Sequence, residues 1–195
     1  MTVLVVTKPA ASPLLAFMNK LTLFIGSALA LGAASQAHAQ WSDSGFGGRE
    51  EVSYQAFFPA GKVKSYLGNG PLNGISWTHQ LTPPPSVGLG RTLFLDWAGT
   101  GGDTPRNFLA GGLGVQSQLK LGTEGTTANI GGGIGWYGTF RSNSGFDPGR
   151  QSGAVARITA GLRLRGNLII EGAYFRSLKA SDGLEGTGLR IGLRF

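Results

Sequence analysis

The sequence predicts an all-β chain folded as an eight-stranded antiparallel up-and-down barrel. Three observations carry this reading: a composition rich in glycine and poor in charge, apolar residues at every second position, and connections that alternate between long and short. Of 195 residues 34 are Gly, 14% are charged and 41% are hydrophobic. That apolar content opposes disorder, and the length suits one domain. Each glycine costs a helix interior ~1 kcal/mol relative to Ala, which disfavours a helical protein. The chain has no Cys, which excludes a disulfide scaffold, a thiolate zinc site and a redox pair.

Residues 1–39 read as a signal peptide. Lys20 precedes the apolar run Leu21–Ala34, and Ala37-His-Ala39 supplies the small residues that a signal peptidase accepts. The run is shorter than the ~20 residues of a membrane-spanning helix. Met18 gives an ordinary signal of its own, so residues 1–17 read as an upstream start-site artefact. The barrel then occupies 40–195. Losing Lys8 and Lys20 takes the formal net charge from +7 to +5. Export, and the scatter of cations along the chain, argue against nucleic acid as a partner.

The strands follow in order. Residues 50–58 alternate Val52, Tyr54, Ala56 and Phe58 with Ser53 and Gln55. Residues 73–81 alternate Ile75, Trp77 and His79 with Ser76, Thr78 and Gln80. Residues 88–98 set Leu93, Leu95 and Trp97 against Thr92 and Asp96. Residues 107–121 place Leu109, Leu113, Val115, Leu119 and Leu121 opposite Gln116, Gln118 and Lys120. The pattern is clearest at 126–140, where Ala128, Ile130, Ile134, Trp136 and Phe140 share one face. Residues 151–165 alternate Ala154, Ala156, Ile158, Ala160, Leu162 and Leu164 with Arg157, Arg163 and Arg165. Residues 167–177 set Leu168, Ile170 and Tyr174 against Glu171. The last segment alternates Leu189, Ile191, Leu193 and Phe195 with Arg190 and Arg194. This is the strand period.

The connections at 59–72, 82–87, 99–106, 122–125, 141–150, 166 and 178–185 run long, short, long, short, long, short, long. Short turns on one side and longer loops on the other are the rhythm of a transmembrane β-barrel. Segments of 9–15 residues exceed the ~5–6 of soluble sheets and suit a tilted bilayer crossing. Aromatics near strand ends (Phe57, Phe58, Trp97, Trp136, Tyr137, Phe140, Tyr174 and Phe195) read as interfacial girdles. Lipid outside then puts Asp96, Lys120, Arg157, Arg163, Arg165, Glu171, Arg190 and Arg194 inside, as a paired charge network. Arg91 shares the apolar face of its segment. It reads as a side chain snorkelling at the periplasmic rim, or as the mark of a bulge.

Leu189-Arg-Ile-Gly-Leu-Arg-Phe195 resembles the last strand of bacterial outer-membrane β-barrel proteins, which typically end in Phe after alternating apolar residues. The whole pattern over 50–195 is similar to small eight-stranded barrels of the OmpA transmembrane-domain and OmpX type. The resemblance implies a Gram-negative outer membrane, lipid and lipopolysaccharide as surroundings, a monomer, and Leu189, Ile191, Leu193 and Phe195 as the signal read by the barrel-assembly machinery. The family also contains lipid A deacylases with a His and a Ser two apart on a strand. Here Trp77 and Leu81 flank His79 at that spacing, so the pair is missing.

No other motif rises to chemistry. Gly133-Ile-Gly135-Trp-Tyr-Gly138 fits a dinucleotide fingerprint in letters, but it lies within an alternating strand. His79 is the lone His after the signal and lacks a ligand cluster, so no metal is expected. The reading is a non-enzymatic barrel without cofactor, structural or surface-interacting. The alternatives are a lipid A-modifying enzyme, a small pore, or a soluble exported barrel binding a small molecule. Cleavage after Ala39 predicts Gln40 as the mature N-terminus. Intact-mass spectrometry of membrane-extracted protein checks this, and a chain retaining residues 21–34 contradicts it.

Overall fold

The structure, a computed structural model, describes residues 50–82, 89–101, 105–122, 125–141, 151–164, 167–179 and 183–195; the expected signal peptide lies outside them. Eight strands run in order: β1 Glu50–Ala60, β2 Leu72–Gln80, β3 Gly90–Gly99, β4 Arg106–Leu121, β5 Thr126–Arg141, β6 Ser152–Arg163, β7 Leu168–Ser177 and β8 Glu185–Arg194. One short helix, α1 Val63–Leu67, lies between β1 and β2. Each strand pairs antiparallel with its neighbours, and β8 returns to β1 to close the barrel. The Phe195 amide donates to the Glu50 carbonyl at 2.8 Å and ends the seam.

The register fixes the tilt. Paired residues lead from Glu50 through His79, Leu93, Leu113, Ile134, Ala156, Arg176 and Glu185 back to β1 at Ala60. With ~3.3 Å per residue and ~4.8 Å between strands, that stagger tilts the strands about 40° from the barrel axis. The wall common to all strands is then about 25 Å tall, the height of a bilayer-spanning apolar band.

The period-two pattern sorts the side chains inside out. Leu113, Ile134 and Leu189 face outward at 58%, 64% and 62% exposure, while Asp96 and Arg190 face inward at 0% and 3%. A water-soluble barrel would reverse this, so the soluble alternative fails. Phe58, Trp97 and Trp136 are exposed near the end opposite the termini, as girdle residues should be. Phe57 and Tyr137, expected in the same girdle, are instead fully buried inside. Both lie on the inward parity of their strands, which outranks their position near strand ends. Arg91 is exposed on the outer face beside Gly90, the first residue of β3, and the β3–β4 register runs unbroken through it, so the bulge alternative falls.

Three boundaries differ from expectation. The segment 59–72 is not simply a projecting loop, because β1 continues to Ala60 and α1 turns in over the barrel mouth, burying Val63 and Leu67. Gly183 makes this close approach possible. Its φ is +69°, its carbonyl accepts from the Val63 amide at 3.2 Å, and a Cβ there would lie 2.6 Å from that of Lys62. β8 begins at Glu185 rather than Leu189. Its inward residues there, Gly186 and Gly188, carry no hydropathy signal, and a side chain at Gly186 would collide with the Phe57 ring. The β2–β3 connection spans 81–89, longer than the 100–105 link on the opposite side, so the length rhythm is broken once. Pro83, Pro84 and Pro85 cannot donate to a ladder, which accounts for strands ending at Gln80 and resuming at Gly90.

A charge on the outer wall should cost most at mid-height. Leu113→Arg is expected to lower folding stability in phospholipid vesicles by about 2–4 kcal/mol, and Leu121→Arg at the strand end by about 0–1 kcal/mol. Urea titration of the folded fraction measures both, and equal costs would contradict a lipid-facing wall.

Candidate functional site

The interior is filled in three tiers. The first lies at the end holding both termini, where Glu51 of β1 is the hub. Its Oε1 accepts from the Arg163 guanidinium and from Gln80 Nε2 at 2.9 Å, and it lies 3.8 Å from Arg194 Nε. Arg163 Nη2 also donates to Gln116 Oε1 at 3.0 Å, and Arg194 Nη2 donates to Gln80 Oε1 at 2.8 Å. Five strands meet here through side chains alone.

The second tier centres on Arg190 of β8. Its Nη1 donates to Glu171 Oε1 at 2.8 Å, its Nη2 to Asp96 Oδ1 at 3.0 Å, and its Nε to Gln55 Oε1 at 3.2 Å. Arg157 lies 3.6 Å from both Asp96 Oδ2 and Glu171 Oε1. Asn129 Nδ2 donates to Glu171 Oε2 at 2.9 Å. The Arg157 guanidinium sits 4.6 Å over the Phe94 ring, an attraction that strengthens away from water. Gly133 faces this stack, and a Cβ there would come within 2.8 Å of the Phe94 ring. The glycine-rich face of β5 therefore makes room for an aromatic–cation pair, and the fingerprint at Gly133–Gly138 is barrel wall.

The third tier is apolar. Phe57 stacks on Phe108 with centroids 4.6 Å apart, and Phe175 meets both edge-on at 5.6 and 5.4 Å. Leu72, Tyr137, Val155 and Leu184 surround them, and Val63 and Leu67 of α1 close the top. Arg190 lies 5.6 Å over the Phe175 ring and joins this tier to the one below.

The structure brings together Asp96, Arg157, Glu171 and Arg190, and separately Arg163 and Arg194, each as named on the polar faces. Lys120 does not join them and is exposed. Its place inside is a correction with a geometric cause. The β4–β5 hairpin runs past its neighbours, for β3 begins opposite Gln116, so no opposing wall stands across from Lys120. Arg165 lies outside the described residues. Sequence reasoning missed Glu51 and Phe94, although both share the parity of residues already assigned inward. On the outer face, Leu189 and Ile191 are exposed while Leu193 and Phe195 are half-buried. His79 lies at the terminal rim, its Nδ1 2.6 Å from Glu50 Oε1 and its ring stacked on Trp77 at 5.9 Å. Glu50 was not anticipated as its partner, because it belongs to another strand.

A closed eight-stranded barrel with paired charges sealed inside and an apolar band outside is a small outer-membrane β-barrel, and its place is the bacterial outer membrane. No family model and no curated protein matches the chain. Among solved structures it is similar to Neisserial surface protein A, NspA, with 12% identity over 76% of this chain and 96% of that one, at a TM-score of 0.58. It is more loosely similar to Ail of Yersinia pestis (18% identity, 76% and 99% coverage, TM-score 0.47). The outer membrane enzyme PagL is similarly distant (18% identity, 72% and 98% coverage, TM-score 0.42). The first likeness supports the fold; the other two are too loose to add to it.

Removing one member of a buried ionic group strands its partners. Arg190→Ala is expected to destabilise the barrel by about 3–5 kcal/mol, whereas Lys120→Ala stays within about 0.5 kcal/mol. Urea unfolding in vesicles compares them, and a near-neutral Arg190→Ala would show that the tier is not a stabilising knot.

Proposed function

We propose that this chain is a non-enzymatic, monomeric outer-membrane barrel with a structural or surface-interaction role, needing no cofactor. The observation that carries the reading is the filled lumen. Two ionic tiers and an aromatic plug occupy the axis, and α1 covers the mouth. The cavity beside Arg157 and Thr159 holds about 20 Å³, the space of roughly one water molecule. Such an interior supports a solid pin through the membrane over a small pore. It leaves binding to the loops and the outer rim, and NspA, the best supported structural likeness, is itself described as a surface protein.

The enzymatic alternative would start from Glu50 and His79, an acid on the Nδ1 side of an imidazole. That is two-thirds of a nucleophilic relay. Trp77 and Leu81 stand where a serine two residues away would be, and the pair sits at the terminal rim rather than the outer leaflet. A simple interfacial ion pair accounts for both residues. The outward row of Leu189, Ile191, Leu193 and Phe195 supports reading β8 as the segment that the assembly machinery engages.

Two measurements test the proposal. Purified protein in planar bilayers is expected to give no single-channel steps, and reproducible steps would favour the pore. Lipid A from cells with and without the protein is expected to show identical masses. A lost acyl chain, restored by His79→Ala, would favour the enzyme.

A further inference from the structure

The end of the barrel away from the termini carries a pocket of about 200 Å³ between the β7–β8 connection and the start of the first loop. Lys62, Arg176 and Lys179 line it and are exposed, Leu184 forms its buried floor, and Glu185 is the one acid among its described residues. Glu185 is already engaged, since its Oε1 accepts from the Tyr174 hydroxyl at 2.9 Å and Arg176 is its register partner. The pocket therefore keeps an excess of cationic donors.

Its position says what the anion belongs to. Arg176 shares the parity of Ile170 and Tyr174, the lipid side of β7, and opposes buried Phe175. The short turns and both termini mark the other end as periplasmic, so the pocket lies at the headgroup level of the outer leaflet. Beneath it Phe58, Ile170 and Leu189 present exposed apolar side chains to the bilayer. A soluble anion would use the cations only; an amphiphile would use both.

We propose that this pocket binds a phosphate of a phosphorylated outer-leaflet glycolipid, with its acyl chains lying on the wall below. Charge-assisted hydrogen bonds from three flexible cations suit a phosphate's oxygens. The proposal rests on the barrel spanning the outer membrane, and not on its lack of enzymatic activity.

The test uses the full mature chain in phosphatidylcholine vesicles doped with bisphosphorylated lipid A, with retained lipid counted by native mass spectrometry. Wild type should retain that lipid at least about tenfold better than its dephosphorylated form. The variant Lys62→Gln/Arg176→Gln/Lys179→Gln should lose the preference, and Lys62→Arg/Arg176→Lys/Lys179→Arg should keep it. Unchanged heat-modifiable mobility confirms that both fold. Equal retention of the two lipid forms by wild type, or an undiminished preference in the Gln variant, overturns the proposal. So does a soluble sulfated oligosaccharide that displaces the lipid completely. Any of these leaves the conductance and lipid A mass tests of the proposed function standing.

Discussion

A barrel in lipid has nowhere to put a charge except its own interior, and there a charge must be answered. Arg190 shows how far that constraint reaches. Its guanidinium engages Asp96 on β3 and Glu171 on β7, its Nε engages Gln55 on β1, and its own strand is β8. These are not sheet neighbours alone; β3 stands across the lumen from β8. Arg163 on β6 does the same toward Glu51 on β1 and Gln116 on β4. Each arginine is a crossbar through the cylinder.

Crossbars bear on specificity more than on stability. A buried ion pair replaced by apolar residues of equal volume is often neutral or better, so the tiers are a poor explanation for the barrel's being stable. Register is different. Slipping any strand by one residue turns its charges to the lipid and its leucines inward, and a two-residue slip keeps the faces but moves each charge ~6.6 Å along its strand, beyond its partners. With the Arg190 group joining four strands and the Glu51 group joining five, few registers satisfy all of them. The closed seam and the stagger from Glu50 to Ala60 follow from the same requirement.

How much of this is legible in the sequence depends on which physical signal each residue emits. Alternation shows the strands and their faces, because a two-faced environment imposes it directly; Leu113 against Gln116 and Ile158 against Arg157 need no structure to be sorted. Pairing across the lumen emits no such signal. Glu51 is one polar residue among many until the stagger lifts it beside Arg163, and Lys120 has the right parity for the interior yet projects past the wall. Inward glycines hide strand ends, as at Gly186, and inward aromatics imitate girdles, as Phe57 and Tyr137 do. Val63 and Leu67 are too short a run to announce a helix, and α1 owes its place to the aromatic cluster it covers rather than to local propensity.

The division of the interior into ionic and apolar halves follows from where water can reach. The Glu51 tier sits at the end carrying the termini, where partial hydration lowers the cost of ions that the pairing leaves incompletely satisfied; Arg194 is only half-buried there. The opposite half closes on the Phe57–Phe108–Phe175 cluster, which needs no hydrogen bonds and can be sealed by two apolar side chains from α1. A seal made of charges on the outer side would need water or a partner at every lone pair, whereas one made of rings needs only contact. With the axis occupied in both halves, the surfaces left to meet other molecules are the rims and the lipid-facing wall. On the outer rim the charge is cationic, and its counter-ion has to come from outside the barrel.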